Sequence, residues 1–157
     1  MGEAQRFPVI NNNYILKNMN LLRIELPSRL HDYGLLVFRL AFGFCILNGH
    51  GLRKLGRLFG SEEIQFADPF GFGAAASLGL ATFAEVICAI LLMLGLFTRL
   101  ALIPLIIVVS TAFFTVHFDQ TFGQQETVIL FGCAFIALLL TGPGRFSLDA
   151  LFFTKAR

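Results

Sequence analysis

The chain has no tryptophan, two tyrosines (Tyr14 and Tyr33) and three cysteines. Without Trp, a common aromatic anchor of the membrane–water boundary is missing, and 19 Phe carry most of the aromatic surface. Cys45, Cys88 and Cys133 form no CxxC and no metal-ligand spacing, and each lies in a different apolar run. They read as small buried hydrophobes rather than as a redox pair or a zinc site. Charge is scarce as well: 14% of the 157 residues are Asp, Glu, Lys or Arg, against about 25% in an ordinary soluble domain. A formal net charge of +2 is too small to suggest a nucleic-acid partner. No flavin, haem or nucleotide motif is present, so neither a metal nor a nucleotide cofactor is expected. The first 30 residues are polar and mixed, without a signal-peptide core. The expectation is that the first span inserts uncleaved.

What is abundant is apolar sequence: 56% hydrophobic residues and a mean hydropathy of +0.75. A core of this size cannot hide so much apolar surface from water, because small domains leave much of theirs exposed. Lipid is the natural solvent. A hydrocarbon layer of roughly 30 Å takes about 20 helical residues to cross, and four such spans are expected at about 33–56, 74–97, 100–117 and 125–141. The predicted fold is all-α: an integral membrane four-helix up-down bundle forming one domain over 33–157. Ahead of it, residues 1–32 read as an interfacial arm that is polar apart from scattered Ile and Leu. Ser28 is a plausible helix start, and Ser61 before Glu62 and Glu63 resembles another. Thr98-Arg99 reads as the tight link between the second and third spans, with Pro104 near the start of the third. Gly142-Pro143-Gly144 is a helix stop, and the tail beyond it is amphipathic.

Eight Lys and Arg residues (Arg6, Lys17, Arg23, Arg29, Arg99, Arg145, Lys155 and Arg157) fall on the side that holds both termini. Arg53, Lys54 and Arg57 fall on the other. The positive-inside rule then places both termini in the cytoplasm. Arg145 and Lys155 read as anchors to lipid headgroups, and Asp149 as a local cap or partner of Arg145.

Ionisable groups inside a bilayer are costly and need a partner or a purpose. Arg39, Gly43, Ile46, His50 and Lys54 follow each other at intervals of three or four, which puts them on one face of the first helix. At about 1.5 Å per residue, Arg39 lies toward the terminal side. His50, Lys54, His117, Asp119 and Glu126 gather at the opposite mouth, with Glu85 beneath them. Arg39 is the expected charge partner of Glu85. The candidate ligand-binding or proton-handling residues are therefore Arg39, His50, Lys54, Glu85, His117 and Glu126. His and carboxylate groups suit a quinone headgroup or proton handling, would also serve a metal, and can equally form a purely structural network.

Arg39 and its following glycines, Lys54-Leu55, Glu85 followed by GLFTRLA, and Glu126 with the closing GPGRFSLD resemble the DoxX family of small four-span bacterial membrane proteins. The resemblance covers about residues 35–151. It implies a bacterial inner-membrane protein. It also implies a link to redox systems, since the family includes subunits named for a thiosulfate:quinone oxidoreductase and members tied to oxidative-stress complexes. Arg39, Lys54, Glu85, Glu126 and Arg145 occupy the family's polar positions. Three readings follow: a membrane subunit that binds quinone and takes electrons from a redox partner protein, a non-enzymatic scaffold, and a proton or small-anion carrier that works as a homo-oligomer. Membrane lipids are partners in all three.

Overall fold

A computed structural model describes residues 28–153. The N-terminal arm expected ahead of the first span lies almost wholly outside the described residues, as do Lys155 and Arg157. Among the described residues there is no strand. The bundle is built from four long helices. α1 is Ser28–Ile46 continued through a π-helical turn, Leu47–Gly51, into Leu52–Leu58. α2 is Ala74–Thr82, a second π turn at Phe83–Cys88, and Ala89–Leu94. α3 is Thr98–Ala112 with a third π turn at Phe113–His117, and α4 is Phe122–Thr141. A short α5, Leu148–Phe153, follows. All four long helices are apolar and long enough to cross a membrane. Helix is what such runs must form there, because a bilayer offers no other partner for the backbone N–H and C=O groups.

Successive long helices pack on one another, and α1 also touches α4. The core is a column of Ile46, Leu92, Leu102, Leu105, Phe135 and Leu138. α1 and α2 approach closely at two glycines of α1. A Cβ on Gly43 would sit 2.5 Å from Met93 Cγ, and one on Gly51 would sit 2.6 Å from the Glu85 carbonyl oxygen.

The ends of the elements depart from expectation in instructive ways. α1 runs on past both expected limits, from the first described residue to Leu58. The link between α2 and α3 is Gly95–Phe97, three residues earlier than the expected Thr98-Arg99. Gly95 takes a left-handed conformation (φ 68°), and the Leu96 N–H reaches back to the Leu91 carbonyl at 2.9 Å, which closes α2. Because α3 then starts at Thr98, Pro104 is its seventh residue rather than a first-turn proline, and the Leu100 carbonyl loses its intrahelical donor there. No helix begins at Ser61. The start of α2 is organised instead by Asp68, whose carboxylate accepts the N–H groups of Phe72 (3.0 Å) and Gly73 (2.7 Å) and the Ser77 hydroxyl (2.7 Å). Those bonds hold the exposed Asp68 carboxyl below its usual range, the Ser77 bond contributing most.

The end that carries both described termini is locked by Arg39. Its side chain is fully buried, and its two terminal nitrogens donate to the carbonyls of Pro143 (2.7 Å) and Phe146 (2.6 Å). Asp149 does not pair locally with Arg145. Its two oxygens accept the N–H groups of Phe97 (2.7 Å) and Thr98 (2.9 Å), capping α3, while its own N–H donates to the Gly95 carbonyl (2.8 Å). Buried Asp32 accepts the Arg145 N–H at 3.0 Å. α1, the α2–α3 turn and the segment after α4 thus form one knot.

Two outcomes follow for detergent-solubilised protein. Gly95→Ala places a Cβ against the Arg39 guanidinium and Ser147 in a left-handed position. It is expected to destabilise by at least about 1–2 kcal/mol, whereas Gly79→Ala, with open space at its Cβ, is near neutral; thermal unfolding compares them. Because Asp68 has a depressed folded-state pKa, its cap is at full strength above the ordinary aspartate range. The cap is lost as pH falls through the lowered value. Limited proteolysis of the 59–73 loop should therefore accelerate at acid pH, and Asp68→Asn should remove that acid step.

Candidate functional site

The polar residues singled out from sequence divide between the two ends of the bundle. Arg39 stands at the terminal end and does not pair with Glu85. Some fifteen residues of helix, about 22 Å, separate Arg39 from the level of Lys54, and its guanidinium is occupied by backbone carbonyls. Glu85 pairs with Lys54 through Oε1.

The geometry of that pair begins in the backbone. Glu85 lies in the π turn of α2, and the π turn of α1 packs on it. Gly51, in the α1 turn, is buried with its α-carbon against the Glu85 carbonyl. Lys54 follows three residues later, and this approach carries its ammonium onto the carboxylate. Glu85 is 3% exposed and Lys54 half-buried. The second carboxylate oxygen, Oε2, is buried with no hydrogen-bond partner among the described residues. Such an oxygen is costly in an apolar surrounding, and π turns recur at functional sites. Phe66, from the loop between α1 and α2, places its ring 6.0 Å from the Lys54 ammonium. A cleft bordered by Arg53, Gly56, Arg57, Phe66 and Leu78 opens next to it.

His50, in the α1 π turn, packs edge-on against Phe131 of α4, with ring centroids 6.1 Å apart. It lies within electrostatic reach of Lys54, Arg53 and His117. His117, in the π turn of α3, has Nδ1 2.6 Å from the Gln120 side-chain oxygen. Three of the candidates, His50, Glu85 and His117, therefore each sit in a π turn of a different helix. Glu126 is not brought into this group. It is exposed near the start of α4 and makes no hydrogen bond or ion pair among the described residues, and Asp119 is likewise exposed. No set of three His, Cys, Asp or Glu side chains converges as metal ligands among the described residues.

Sequence reasoning missed Gln125. Its side-chain nitrogen lies 2.9–3.0 Å from the carbonyls of His117, Phe118 and Gln120, closing the end of α3. It missed Asp32 too, although Asp32 precedes Arg39 by seven residues and so shares its helical face.

Four membrane-crossing helices, tied together by buried polar contacts at each end, define a multi-pass membrane protein in contact with lipid. The sequence profile of the DoxX family matches residues 34–118. That is more than half of the chain, and the protein belongs to the DoxX family. The matched segment holds Arg39, His50, Lys54, Glu85 and His117, and ends before Glu126 and the GPGRFSLD stretch. No curated protein and no solved structure matches the chain.

Removing one member of a buried pair strands the other, a loss of about 3–5 kcal/mol, whereas replacing both with apolar residues is often neutral. Lys54→Met alone should therefore lower the unfolding midpoint sharply, and Lys54→Met with Glu85→Leu should recover most of it. A double-mutant cycle read by thermal unfolding in detergent checks this.

Proposed function

We propose that the protein is a membrane subunit of a quinone-linked redox system, with the quinone headgroup bound at the Lys54–Glu85 pair. The observation that carries this reading is Glu85: buried in the bundle, held by Lys54 through one oxygen, and without a hydrogen-bond partner at the other among the described residues. A quinone headgroup offers what the pair lacks. Its carbonyl oxygens accept from the Lys54 ammonium, and the hydroxyl of the reduced form donates to Glu85 Oε2. Conversion of quinone to quinol takes two electrons and two protons. The electrons come from a partner protein, since this chain has no flavin, haem or nucleotide motif. His50 and His117, each near the pair's end of the bundle, are the proton-exchanging groups. Arg39 and Glu126 have no direct part: the first is committed to backbone carbonyls, and the second stands apart on the surface.

The protein resides in a bacterial inner membrane as one domain from about residue 33, with both termini cytoplasmic. The Lys54–Glu85 pair is then in the outer half of the bilayer. Family membership and the distribution of Lys and Arg support this placement.

Native mass spectrometry of the protein extracted gently from its own membrane tests the reading. A retained quinone-sized mass is expected on the wild type, reduced about tenfold or more in Glu85→Gln, in keeping with loss of a hydrogen bond to a charged group. A protein that carries only phospholipid would overturn the quinone assignment and favour a non-enzymatic scaffold.

A further inference from the structure

We propose that the opposite end of the bundle holds a binding site for the headgroup phosphate of an anionic phospholipid. The site is the cleft between the start of α1 and the segment joining α4 to α5. Its apolar wall is Leu35, Pro143, Ala150 and Leu151, and its mouth carries His31 and Arg145. Two carboxylates border the same cleft, and each accepts backbone N–H groups of the protein. One oxygen of Asp32 accepts the Arg145 N–H at 3.0 Å. Both oxygens of Asp149 accept backbone N–H groups of the α2–α3 turn, and buried Arg39 offsets the Asp149 charge.

The side chains at the mouth are not so committed. His31 and Arg145 are exposed and form no salt bridge among the described residues. The Asp32 bond fixes the backbone of Arg145 at the cleft and leaves its guanidinium free to fork onto phosphate oxygens. Arg99 adds a second positive charge nearby, with Nη2 3.6 Å from where a Cβ on Gly142 would be.

The occupant is a lipid rather than a soluble phosphate because the cleft is amphipathic and lies at the membrane surface. Leu151, Phe152 and Phe153 of α5 are 68%, 60% and 62% exposed, and an apolar helix face of this kind beds into the headgroup boundary. A phosphate at the mouth would place its glycerol and upper acyl carbons along Leu35 and Leu151.

The experiment uses the full chain in nanodiscs of mixed phosphatidylglycerol and phosphatidylcholine, with lipids retained after release measured by native mass spectrometry. The wild type should keep phosphatidylglycerol over phosphatidylcholine. Arg145→Gln should lower that preference about fivefold, the effect of one basic residue near an anionic surface. Arg145→Lys should keep most of it, which separates loss of charge from loss of fold. An equal fall in Arg57→Gln, at the other end of the bundle, would reduce the effect to net charge and overturn the site. Retention indifferent to headgroup charge would overturn it as well. Displacement of phosphatidylglycerol by inorganic phosphate would overturn the lipid assignment in favour of a soluble phosphate.

Discussion

A guanidinium buried inside a membrane bundle has no water to turn to, so its acceptors must come from the protein itself. Arg39 finds them in the carbonyls of Pro143 and Phe146, more than a hundred residues away in the chain. Much of the fold hangs on that requirement. To present those carbonyls, α4 must stop at Gly142 and the chain must fold back over the bundle. Folding back brings Asp149 to the α2–α3 turn, where it caps α3 and holds Phe97 in a left-handed conformation unusual for a residue with a side chain. Gly95 is needed at the same point, because any side chain there would collide with the guanidinium. One buried cation thus fixes a turn, a helix start and a helix stop.

The other end of the bundle is built differently. There the helices meet through π turns, each of which widens the helix and interrupts the regular ladder of bonds. Glu85 is matched by one cation on one oxygen. A buried ion pair of this kind gives little net stability, since desolvation of both charges offsets their attraction. Packing alone does not account for it: a pair of apolar side chains would fill the same space without leaving Oε2 unpartnered. The two ends differ in what their buried charges meet, backbone carbonyls at one and a side-chain charge at the other. Arg39 donates to backbone carbonyls from both terminal nitrogens while its buried Nε finds no partner among the described residues, and Glu85 meets a single ammonium through one oxygen.

The four spans were legible in the sequence because each is an apolar run of membrane-crossing length, a signal that needs no knowledge of neighbours. Arg39 and Glu85 were legible as costly residues for the same reason. Their partners were not. Helical spacing reports which residues share a face, and by that measure groups Arg39, His50 and Lys54. It does not report competition from backbone carbonyls, which every residue carries and no side-chain pattern reveals. Charge economy therefore matches Arg39 to Glu85, whereas the Pro143 and Phe146 carbonyls hold it. Depth alone draws Glu126 into the mouth, although it is exposed and makes no hydrogen bond or ion pair among the described residues. The π turns left no trace in composition or periodicity, yet they set which side chains converge.

Glycine ties the two ends into one argument. Gly51 lets the backbone of α1 lie against the Glu85 carbonyl, and Gly43 lets the same helix lie close to α2 two turns earlier. Close approach at two points fixes the height of α1 relative to α2, and the Arg39 knot fixes it independently from the terminal end. With the register held twice, Lys54 cannot slide away from Glu85, and the buried Oε2 cannot be relieved by a small shift of one helix. A carboxylate oxygen kept unsatisfied by a scaffold this constrained is a preorganised acceptor, so a ligand that donates to it gains a hydrogen bond without first having to displace one made by the protein.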